Sequence, residues 1–184
     1  MATAELSNAC SERRWLPAGL PAIWLFAYLA VWTMTLAPAA MVALLGHPLT
    51  PPAYPAQHNA PPRVGHVLWL AAHNIPIMSW PLLLGVLGVH RSRVARHVTD
   101  GVLLFLVTAN TLPVGAKLGA YGLALLPYLP HLPLEWGGLA LGASAWLVQR
   151  RTALTVREGL GLFVLIAGVL VCAAIVETVA VPHR

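Results

Sequence analysis

Five long apolar segments leave this chain few ways to fold. They run at about 20–45, 67–89, 99–126, 132–149 and 160–181. Each is long enough to cross a hydrocarbon core of about 30 Å, the fourth only just. A backbone in lipid must satisfy its own hydrogen bonds, so segments of this length cross as helices. Of the 184 residues, 58% are hydrophobic and 9% charged, where a soluble domain carries about 25% charged residues. The expected fold class is all-α: a polytopic transmembrane helix bundle of about five spans. One domain fills 20–182, preceded by a cytoplasmic tail at 1–19 and carrying a proline-rich outer loop at 46–65.

Basic residues set the expected orientation. Arg13 and Arg14 precede the first segment, Arg91, Arg93 and Arg96 link the second and third, and Arg150, Arg151 and Arg157 link the fourth and fifth. If all five segments span, these eight share one side and only Arg63 and Arg184 fall on the other. The positive-inside rule then puts the N-terminus inside and the C-terminus outside, in the cytoplasmic (inner) membrane. The net charge of +5 thus reads as a topology signal. No arginine-rich run or zinc-ligand spacing supports a nucleic-acid partner. A cleaved signal peptide is the rival reading of the first segment, whose apolar stretch is too long for a signal core. Cys10 and Cys172 lie before the first segment and deep in the last, so no disulfide is expected.

Ionisable groups inside spans are costly, so they carry the functional signal. Three are expected there: Lys117, Glu135 and Glu177. At about 1.5 Å per residue, Lys117 and Glu177 sit roughly 26–27 Å up from the inner side, and Glu135 about one turn below the outer surface. One ammonium between two carboxylates would offset the desolvation of all three. His131 lies four residues before Glu135 and faces the same way. His73 and Asn74 belong to the same level, and Asn110 lies near the midplane of the third segment beside Pro113. Asp100 sits near the inner interface, where solvent would hold it. Gly115 and Gly119, and again Gly138 and Gly142, stand four apart, the spacing at which small residues let helices approach closely.

Four short stretches carry a family resemblance. "AHNIPI" (72–77), "NTLPVG" (110–115), "PHLPLE" (130–135) and "ETVAVP" (177–182) resemble, in order and spacing, the motifs of the stage II sporulation protein M (SpoIIM-like) membrane family. The family pattern places Gly where this chain has Leu132, and a second Asn where it has His73. The resemblance implies a five-span inner-membrane protein that acts as a scaffold, organising peptidoglycan-remodelling partners.

The leading functional expectation is therefore a non-enzymatic envelope scaffold. Its partners would be the lipid bilayer, other membrane or wall-remodelling proteins, or a second copy of the chain. No catalytic residue, metal or cofactor is assigned. A permease subunit with a polar intramembrane cavity is the alternative, on its broken spans and buried charges. A further alternative is an intramembrane metal-dependent enzyme using His73, His131, Glu135 and Glu177; no H-E-x-x-H type motif accompanies them.

Overall fold

The structure, a computed structural model, describes residues 16–17, 19–46 and 64–180, without the side chain of His90. Nearly all of the expected tail and of the 46–65 loop, with Cys10 and four of the arginines used above (Arg13, Arg14, Arg63 and Arg184), lies outside the described residues. Among the described residues five α-helices follow one another: α1 (Leu20–Leu44), α2 (Val64–Val86), α3 (Arg93–Tyr121), α4 (Leu132–Gln149) and α5 (Val156–Ala180). Short 3-10 runs, Val89–Arg91 and Gly122–Tyr128, flank α3. Among the described residues there is no strand.

Local chemistry sets the helix boundaries. Gly122 adopts φ +58 and ends α3, a conformation that costs glycine little. Ser92 caps the start of α3, accepting from the Ala95 amide at 3.4 Å. Pro133 sits in the first turn of α4, where its missing N–H leaves no helical bond unmade. At α5 the Glu158 amide donates to Thr155 Oγ1 at 3.2 Å, and Glu158 Oε2 accepts from the Thr155 amide at 2.9 Å. That reciprocal pair is a capping box, which satisfies two otherwise orphaned donors. Pro38, Pro76, Pro81 and Pro113 lie inside helices. Hydroxyls near them turn back onto their own helices: Ser79 donates to the Ile75 carbonyl at 2.7 Å and Thr111 to the Val107 carbonyl at 2.9 Å.

Among the described residues four helical stretches are long and apolar enough to cross a membrane: α1, α2, α3 with its 3-10 extension, and α5. Their outward faces expose large apolar side chains such as Phe26, Leu44, Leu68, Phe105 and Val164, as lipid requires. The fourth expected span, α4, is of another kind. Its residues from Trp136 to Trp146 are buried without a break. It lies at the centre, with α1, α2 and α5 packed around it, while α3 packs against α1. A helix sheltered by its neighbours has little lipid-facing surface, so glycine, alanine and serine suit it better than leucine.

Small residues make this centre possible. A Cβ on Gly142 would overlap the Met78 carbonyl of α2, and one on Gly138 would meet Leu170 of α5 at 2.8 Å. On the other side, Cβ atoms on Gly115 and Gly119 would run into the Thr35 and Ala39 carbonyls of α1. Both glycine pairs are therefore close-packing positions, as their spacing predicts. Leu162, Ile166 and Leu170 complete the core from α5, each at most 1% exposed.

Candidate functional site

The first turn of α4 brings the polar groups together. His131 precedes the helix and Glu135 follows one turn on; His131 Nε2 and Glu135 Oε2 stand 3.9 Å apart. Asn74, midway along α2, donates from Nδ2 to Glu135 Oε1 at 3.1 Å. Glu177, in the last turn of α5, closes the group. One donor atom each from His131, Glu135 and Glu177 lies within 4.8 Å of the others. All three residues are partly buried. The Nδ1 of His131 and the Nε1 of neighbouring Trp136 are buried with no hydrogen-bond partner. Among the described residues no lysine or arginine pairs with either carboxylate.

The electrostatics of this corner are lopsided. Glu135 sits at an α4 N-terminus, where the helix dipole favours negative charge. Glu177 sits near the C-terminus of α5, where the dipole favours a cation. The two dipoles act in opposite senses, so it is the convergence of two carboxylates and an imidazole that would stabilise a positive partner.

Lys117 is not that partner. It is exposed on α3 and makes no ion pair among the described residues, so the expected ammonium between two carboxylates does not form. The reason is geometric. Gly115 and Gly119 seat α3 on α1, and a residue two positions from each lies about 200° around the helix, on the opposite face. Near the end of α3, a long side chain of this kind can carry its ammonium to an interface by snorkelling. Lys117→Ala should therefore change stability by less than about 0.5 kcal/mol, measured by thermal unfolding in detergent. A loss several times larger would restore the buried-pair reading.

His73 also stands outside the group. It is exposed and stacks on Trp69, centroids 5.6 Å apart and planes at 8°, with His66 stacked on the same indole at 6.2 Å. This aromatic stripe suits a membrane interface, while Asn74, one position on, turns inward. Asn110 is spent locally, its Nδ2 donating to the Leu106 carbonyl at 2.7 Å. The site thus retains His131, Glu135, Glu177 and Asn74, and releases Lys117, His73 and Asn110.

A second polar group occupies the opposite end. Asp100 Oδ1 accepts from Trp146 Nε1 at 2.8 Å, and Arg150 Nη1 lies 3.1 Å from Asp100 Oδ2. Asp100 is thus a partner of the core, where solvent alone was expected to hold it. The signal was present in the spacing of Trp146 and Arg150, which share a helix face at four residues apart. Beside this group a recess of about 670 Å³ is lined by Ala22, Ile23, Phe26, Arg96, Arg150 and Arg151.

No family model, curated protein or solved structure matches this chain.

Proposed function

We propose that this chain is a multi-pass inner-membrane scaffold of the bacterial cell envelope, its N-terminus inside and its C-terminus outside. It is similar in its motifs to the SpoIIM-like family and holds membrane or wall-remodelling partners in place. The supporting observation is the close-packed centre between its two polar ends. From the His131–Glu135–Glu177 corner to the Asp100–Trp146–Arg150 group, the centre is filled by Trp136, Leu139, Leu141, Ile166 and Leu170, all at most 6% exposed. Gly142 brings α4 against the Met78 carbonyl of α2, and Gly138 seats it against the Leu170 side chain of α5. A permease needs a path that opens to water at the midplane; a scaffold needs a rigid body with fixed ends.

Two measurements test this. Ser144 is fully buried in the second half of α4 and donates to the Ala140 carbonyl one turn back at 2.6 Å. In a background without native cysteines, Ser144→Cys should resist membrane-impermeant thiol reagents from both sides. Labelling from either side would support the permease. Mild-detergent capture of the full-length protein should also recover envelope proteins, and repeated recovery of none would reject the scaffold.

A further inference from the structure

We propose that His131, Glu135 and Glu177 bind a divalent transition metal of the zinc class, with Asn74 positioning Glu135. This goes beyond the scaffold reading and stands or falls separately. The donor set is one imidazole nitrogen and two carboxylate oxygens, which suits zinc and its neighbours. Three atoms no more than 4.8 Å apart all lie within about 2.8 Å of a common point. Inward movements of under about 1 Å then reach metal bond lengths of about 2.0–2.2 Å. The ligands come from one end of a packed helix pair, the start of α4 and the end of α5, so the movement falls on side chains.

Three further observations point the same way. Asn74 donates to one oxygen of Glu135, the outer-shell hydrogen bond that fixes a ligating carboxylate. The buried Nδ1 of His131 has no protein partner, so no protein hydrogen bond at that nitrogen holds the imidazole away from a metal. Neither carboxylate has a basic side chain beside it among the described residues. Three protein ligands leave a fourth position for water or for a donor from a bound partner.

The test uses the full-length protein in detergent with Cys10 and Cys172 replaced by serine. After chelator stripping and Zn²⁺ reloading, about one equivalent should survive desalting, as a three-ligand site predicts. His131→Ala and Glu177→Gln should each weaken retention at least about tenfold, and Asn74→Ala roughly tenfold. Removing the exposed imidazoles with His66→Ala and His73→Ala together should leave retention intact. Retention unaffected by the first two variants, or lost in the His66/His73 double variant, overturns the proposal. Cobalt loading of that same cysteine-free protein, with His131, Glu135, Glu177 and Asn74 intact, gives an answer that no folding failure of a site variant can obscure. A visible spectrum of a four- or five-coordinate site supports it, and the spectrum of six-coordinate hydrated cobalt overturns it.

A different observation carries a second inference. The structure assigns the arginine-rimmed recess to a phosphate-bearing anionic lipid headgroup. Arg150 is paired with Asp100, but Arg96 and Arg151 have no carboxylate partner among the described residues. Ile23 and Phe26 supply an apolar wall beside them, the combination by which basic pockets between membrane helices hold acidic lipids. In nanodiscs containing phosphatidylglycerol or cardiolipin, such lipid should copurify and be retained over phosphatidylcholine. The Arg96→Gln/Arg151→Gln double variant should lose at least about nine-tenths of that retention, at roughly 1 kcal/mol per arginine near the surface. Equal retention in the variant overturns the inference. Competition by millimolar inorganic phosphate that releases the lipid fully assigns the recess to free phosphate and overturns it too.

Discussion

Replacing Trp146 with alanine is expected to cost about 3–5 kcal/mol, the range for removing a large buried aromatic. Its indole is fully buried at the centre of the bundle, and α4 has neighbours on three sides that cannot all close inward. The same change removes the 2.8 Å hydrogen bond to Asp100. Trp146→Phe separates the two effects. It keeps most of the volume and gives up the N–H, so its cost should be about 1.5–3 kcal/mol, the range for a hydrogen bond to a charged group. Asp100 keeps Arg150 in that variant; their half-exposed ion pair contributes little by itself. Chemical unfolding in detergent reads both losses. Equal losses in the two variants would place the stabilisation in the hydrogen bond rather than in packing.

Gly142→Ala is the second large effect, expected at about 1–3 kcal/mol for overpacking. The added methyl would overlap the Met78 carbonyl, and a backbone oxygen has no rotamer by which to leave. The α2–α4 pair must separate, opening gaps along the whole contact. Gly168→Ala makes the control: nothing lies within 4 Å of its new Cβ. Alanine's better helix propensity, up to about 1 kcal/mol, should leave that variant unchanged or more stable. Two chemically identical substitutions thus differ in sign. If both variants unfold at the same point, the close α2–α4 approach is wrong.

The helices themselves were largely legible. Apolar length gave their number, and Pro133 and the arginine-rich connections marked several of their ends; the third segment, expected to run to 126, instead ends as α3 at Tyr121 and continues as a 3-10 run. The glycine spacings also read correctly as packing faces. The Lys117 reading failed although the same pattern contained its refutation. If Gly115 and Gly119 face a neighbour, Lys117 faces away by helical geometry. Depth along a helix was used there without angle around it. His73 and Asn74 repeat the lesson, since a single residue step of about 100° turns one outward and the other toward Glu135.

The order of packing was beyond reach of the sequence. Helix α3 is followed directly by α4, yet α3 packs against α1, and nothing in segment lengths or charges distinguishes that arrangement from others. It decides the site, because it keeps Lys117 away from the corner where α4 and α5 meet. Hydrophobic length and local turn chemistry act along the chain, so the sequence by itself determined a helical membrane bundle and placed His131 one turn from Glu135. Bringing Glu177 and Asn74 to that pair is a property of which helices touch. Only the tertiary structure decided it, through close contacts of small residues that depend on rotation and neighbour choice rather than on composition.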